Sequence, residues 1–152
     1  MMNNEKDYKS GISYNALKPL AAVIYSAGAN QKDDFKKRVG STILNRFESG
    51  KAEFGAENGS IMDVIQKGYY EYNSPLYQEF MSGKFKDDKS KKEALKSTAL
   101  AAALLRDTVS KDDGEFFFTA DEVRSLKKNK KFDFNKVIPV GKSGEHTFYK
   151  YK

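Results

Sequence analysis

The feature that most constrains this chain is a change of texture at the turn Asp112-Asp113-Gly114. Up to about residue 109, apolar residues recur at helical spacing in segments set off by capping residues. Beyond the turn, short runs rich in Phe, Val and Tyr read as strands. The pattern predicts a mainly α (α+β) fold: a helical domain with a small β element near the C-terminus. No repeat or linker divides it, so residues 1–14 read as a polar lead-in and 15–152 as one domain.

From Asn15 onward, Leu17, Leu20, Ala21, Ile24 and Gly28 fall on one side of a first helix, with Pro19 in its first turn. The polar break 30–34 ends in aspartates suited to a helix start, and a second helix is expected over about 35–47. Gly40-Ser41 in its middle predicts close contact with another backbone. Ser60 and Ser74-Pro75 cap two shorter helices that Gly68 and Gly83 close. Ser90-Lys91-Lys92-Glu93 reads as a capping box after a charged hinge, opening an Ala/Leu-rich helix to about Val109 that is expected to be central. Residues 115–119 read as a strand and 121–126 as a brief helical turn. Residues 136–140 and 146–150 are expected to flank a Gly141-Lys142-Ser143-Gly144 turn.

Composition removes whole chemistries. Cysteine is absent and His146 is the one histidine, which excludes thiol nucleophiles, disulfides and sites built on two or three imidazoles. No metal or cofactor is expected. Acid–base groups would then be carboxylates, as in glycoside cleavage. The net charge of +6 favours anionic partners, among them nucleic acid and bacterial wall polymers. The N-terminal residues lack the apolar core of a signal peptide, and no run reaches the ~20 apolar residues of a membrane span. The expectation is a protein made in the cytoplasm, with no membrane insertion.

Five segments in order carry a more specific signal. Val23-Ile24-Tyr25 precedes Ile43-Leu44-Asn45-Arg46, followed by Asp63-Val64-Ile65-Gln66-Lys67-Gly68-Tyr69-Tyr70, then Phe116-Phe117-Phe118-Thr119, and finally Ser143-Gly144-Glu145-His146-Thr147-Phe148-Tyr149. In this order and spacing they resemble the spore-cortex-lytic enzyme family of cell wall hydrolases, over about residues 17–150. The third segment departs from that family's pattern, with Lys67 for Pro and Tyr69-Tyr70 for Gln-Phe. The resemblance implies a lysozyme-like helical fold. It also implies cleavage of peptidoglycan glycan strands by a muramidase or lytic transglycosylase using one glutamic acid. Aligned without gaps, that glutamate falls on Ala27 and the family's next acid on Gln31.

An alanine donates no proton. It is consistent with an enzyme whose acid has been substituted away, a natural variant using another carboxyl, or a catalytically dead domain kept for glycan binding. Ala27 can equally be a small core residue beside Gly28-Ala29. Glu71 is the runner-up acid, ahead of Asp33 and Asp34. Tyr69, Tyr70, Phe117, Thr119 and His146 are candidate substrate contacts, although such aromatics also serve as packing. Tyr25, Asn45 and Arg46 are expected to be structural groups near the site. The run 127–131 is basic and reads first as a solvated face. The resemblance implies action on the wall after delivery by lysis, a phage tail or a secretion system, and, for a toxin, an immunity protein as partner. A basic nucleic-acid-binding protein is the alternative class, although no recognised motif for one is present.

Overall fold

The computed structural model describes residues 14–152; the expected lead-in lies almost wholly outside them. Six helices and one three-stranded antiparallel sheet follow in order: α1 (Leu17–Ala27), α2 (Asp33–Ser49), α3 (Ile61–Gly68), α4 (Pro75–Ser82), α5 (Asp88–Leu105), β1 (Phe116–Thr119), α6 (Ala120–Lys128), β2 (Val137–Ser143) and β3 (His146–Tyr151). The fold is α+β, mainly helical, with its sheet near the C-terminus. No helix among the described residues is long and apolar enough to cross a membrane.

The central helix is α1, not the expected Ala/Leu-rich one. Its residues Leu20, Ala21, Ala22, Val23, Ile24 and Tyr25 are all buried, and α2, α3, α4 and α5 pack around it. A helix apolar on every side must be enclosed, whereas α5 keeps a solvated face. Gly40 of α2 faces this crossing. A Cβ there would lie 2.7 Å from Leu104 Cδ1 and 3.0 Å from Ile24 Cδ1, so the glycine admits neighbouring side chains rather than another backbone.

The caps set most boundaries. Ser60 accepts from the Asp63 amide at 3.1 Å and Ser74 from the Tyr77 amide at 3.2 Å. Gly83 ends α4 with φ 73°, a left-handed conformation costly for residues with a Cβ. The expected box at Ser90 does not form. Asp87 caps α5 by accepting from the Ser90 amide at 2.8 Å, so the helix starts earlier and ends at Leu105 rather than near Val109. Glu93 is drawn away to the Lys36 ammonium, 2.5 Å off. A true capping box lies later, where the Thr119 hydroxyl accepts from the Glu122 amide and the Glu122 carboxylate accepts from the Thr119 amide.

The sheet order is β1-β3-β2, with Phe117 opposite Phe148 and Thr119 opposite His146. The β2–β3 turn is shorter than expected. Strand β2 continues through Ser143 with an irregularity between Pro139 and Gly141, leaving only Gly144 and Glu145 outside the strands. Side chains alternate across the sheet. Phe117 and Phe148 pack onto Phe35 of α2 and the helical core. Phe116, Phe118, Tyr149 and Tyr151 face a second cluster with Phe54, Phe132, Phe134 and Val137.

The Gly40 contact predicts that Gly40→Val, which overfills the α1–α2–α5 crossing, lowers unfolding free energy by about 1–3 kcal/mol. Denaturant melts would show this as a lower midpoint at unchanged slope. An unchanged midpoint would mean that the crossing is looser than described.

Candidate functional site

Four of the five sequence segments meet at one cleft of about 150 Å³, lined by Arg46, Gly68, Tyr69, Tyr70, Glu71, Phe117, Phe118, Glu122 and His146. The loop between α3 and α4 forms one wall. It is folded back by the Tyr72 amide donating to the Tyr69 carbonyl at 3.0 Å and the Ser74 amide donating to the Glu71 carbonyl at 2.9 Å. Strand β1 and the start of β3 form the opposite wall, and the first turn of α6 supplies Glu122.

Arg46 anchors this arrangement. Its Nε donates to the Glu115 carbonyl at 2.7 Å, and its guanidinium lies 4.8–5.2 Å from the ring centres of Phe54, Tyr69 and Phe116. A Cβ at Gly68 would collide with that guanidinium, which explains the glycine. Asn45 donates to the Asp112 carbonyl at 2.9 Å and the Gly114 carbonyl at 2.8 Å, pinning the turn that launches β1. Both side chains hold framework, and Arg46 also lines the cleft.

Glu71 is 5% exposed, and no Lys or Arg among the described residues forms an ion pair with it. Burial raises its carboxyl above the ordinary range, against the opposing effect of hydrogen bonds from its own backbone amide and the Tyr70 side chain, while the Glu122 charge raises it further. Tyr70 beside it is 86% exposed. An uncovered aromatic ring thus stands next to a buried carboxyl whose neutral form is favoured by burial. His146 packs 4.8 Å from Phe35 and 5.9 Å from Phe117, and its Nδ1 is buried with no hydrogen-bond partner among the described residues.

The other expected contacts are mostly engaged within the protein: Tyr69 and Phe117 line the cleft but are packed, and Thr119 is not in its lining. Tyr69 is buried, its hydroxyl 2.7 Å from Thr42 Oγ1 and its ring under Arg46, so it is a wall and not a stacking platform. The Thr119 hydroxyl is committed to capping α6. Phe117 is stacked on Phe148 at 5.3 Å and half-buried. Residues 127–131 end α6 and the turn after it, where exposed lysines suit a helix C-terminus. Glu122 was not an expected site residue, whereas Phe118 was expected only as part of the 117–119 strand. The Thr119-Ala120-Asp121-Glu122 capping spacing was the available signal for the former.

Ala27 is half-buried against the helical core at the end of α1 and does not line the Glu71 cleft. Tyr25, two residues earlier and so about 200° around the helix, points the other way. It donates to Glu79 at 2.5 Å, and burial together with that partner pushes its hydroxyl up to about 12. Tyr25 borders a larger cleft of about 510 Å³ shared with residues 28–31, Lys36, Asp87 and Glu93. The acids there are poor proton donors. The Lys36 ammonium holds Glu93 below the usual range, and the Ser90 amide does the same for Asp87. Among the described residues no cluster of His, Cys, Asp or Glu could hold a metal ion.

Compared with known proteins, the chain matches no family model, no curated protein and no solved structure.

Because the Glu71 carboxyl titrates higher when folded than when unfolded, the native state binds the extra proton between those two values. Its stabilising contribution is complete below the unfolded value and is lost as pH rises through the raised one. Glu71→Gln should therefore flatten the decline of unfolding free energy between acid and neutral pH, measured by denaturant melts. An unchanged pH slope would show that Glu71 is solvated.

Proposed function

We propose that this chain is a lysozyme-like domain that binds peptidoglycan glycan strands and belongs chemically with muramidases and lytic transglycosylases. One observation carries the reading: Arg46, Gly68 to Tyr70, Phe117 with Phe118, and His146, drawn from four separate motif segments, converge on one cleft. Segments that resemble a hydrolase family only in scattered pieces of sequence are brought together around a carboxyl and an exposed ring.

The cleft is small beside the ~300–1,000 Å³ that encloses a drug-sized ligand. A polymer would lie across its mouth, one sugar face on Tyr70, and insert a single polar group. The +6 charge would assist approach to anionic wall polymer. Ala27 stands where the resembled family places its acid, at the end of α1 and outside the lining of this cleft, so a carboxyl there is missing while the Tyr70 surface remains. Ground-state affinity resides mostly in such surfaces, not in the proton donor.

Two results are expected. The protein should sediment with purified sacculi at moderate salt, and Tyr70→Ala should weaken that retention about tenfold, as for a loss of ~1.4 kcal/mol. Retention that ignores Tyr70→Ala and vanishes with modest salt would assign it to net charge alone. Ala27→Glu, which restores a carboxyl at the end of α1, should raise turbidity clearing of peptidoglycan by about 10²–10⁴-fold. A folded Ala27→Glu protein without that gain would overturn the acid-position assignment.

A further inference from the structure

We propose that Glu71 is this chain's own proton donor, acting from within the Tyr70–His146 cleft on a glycosidic oxygen held at its mouth. The inference rests on the glycan-strand reading above and deepens it: the chain is a slow but genuine glycosidase, not only a binding domain.

The geometry supports this in three ways. Glu71 is buried yet lines the cleft, so its carboxyl is enclosed by protein while bordering the space a substrate group would enter. It has no ion pair among the described residues, although a buried carboxyl kept for structure is ordinarily paired. The charged and titratable groups facing the cleft are Arg46 from α2, Tyr69 and Tyr70 from the loop, His146 from β3 and Glu122 from α6. Arg46 keeps its charge, but its Nε donates to the Glu115 carbonyl, its guanidinium lies over three aromatic rings, and it forms no ion pair with Glu71.

Two carboxyls in unlike settings suit glycoside cleavage. Glu71 is enclosed, whereas Glu122 is exposed on the first turn of α6 with one oxygen accepting from the Thr119 amide. In the step proposed, the Glu71 O–H protonates the glycosidic oxygen as the bond from the sugar C1 to that oxygen breaks. The bonding electron pair stays on the departing oxygen, which leaves as a hydroxyl. The oxocarbenium-like sugar, facing the Glu122 charge, is captured by a hydroxyl, either water or one from the same sugar. That hydroxyl gives its proton to the Glu71 carboxylate and so restores the acid.

The test uses purified sacculi, protein in excess and long incubation, with released muropeptides counted by mass spectrometry. The unaltered chain should release product slowly. Glu71→Gln should lower that release at least about 100-fold while still sedimenting with sacculi. The rate of the unaltered chain should fall as pH rises beyond the raised range of a buried carboxyl, because only the protonated form donates. Equal release by the unaltered chain and Glu71→Gln, or binding without any release by the unaltered chain, would overturn Glu71 as donor and leave the glycan reading standing. Neither binding nor release would overturn the glycan reading itself. If Glu71→Gln fails to fold, the pH profile decides: a rate that does not fall from acid to neutral pH overturns the proposal.

Discussion

The Arg46 guanidinium is the interaction on which the rest of this structure depends. One side chain from α2 joins three parts of the chain: the Glu115 carbonyl ahead of β1, the Tyr69 ring at the end of α3, and the Phe54 and Phe116 rings beneath the sheet. A planar, permanently charged group can donate along its edge while its faces lie on aromatic rings, which an ammonium could not do. Each ring contact is worth about 0.5–2 kcal/mol depending on desolvation. Their larger effect is geometric, because they fix the separation between the sheet and the α3–α4 loop. That separation is the cleft.

The sheet carries a second constraint. Four aromatic or β-branched residues in succession, Phe116-Phe117-Phe118-Thr119, leave β1 without a polar face. Both faces must then be covered, one by the helical core through Phe35 and Phe148, the other by the cluster around Phe132 and Phe134. Enclosure on both sides holds the short strand β1 in place, and α6 follows it directly, so Glu122 enters the cleft at a position set by the Thr119 cap. His146 is fixed the same way, lying opposite Thr119 in the register.

Carboxyl environment separates the two clefts more sharply than size does. In the larger one, Lys36 is buried beside Glu93, and the ion pair keeps the acid ionised. In the smaller one, Glu71 has burial without a cation, which favours the neutral acid. The same residue type is a structural counter-ion on one side of α1 and a candidate proton donor near the sheet. The difference lies wholly in what surrounds it.

Much of this was legible in the sequence. The helical segments, the Ser60 and Ser74 caps and the β texture after Asp112-Asp113-Gly114 follow from local spacing and capping chemistry, which short stretches of chain encode. The position of Ala27 at the end of a helix was readable from the same periodicity. Local rules failed where two choices competed. Ser90 and Asp87 could both cap α5; the structure uses Asp87, while Glu93, needed for the Ser90 box, is held by Lys36 from a distant helix. Similarly, Tyr69 and Tyr70 are adjacent and chemically identical, yet one is buried under Arg46 and the other is open to solvent. The burial of Glu71, the convergence of four segments on one cleft and the choice of α1 as the central helix all depend on contacts between residues far apart in the chain. Sequence determined which residues this protein has to work with; tertiary packing decided which of its carboxyls lost water, and that loss is what lifts Glu71 above the ordinary carboxyl range.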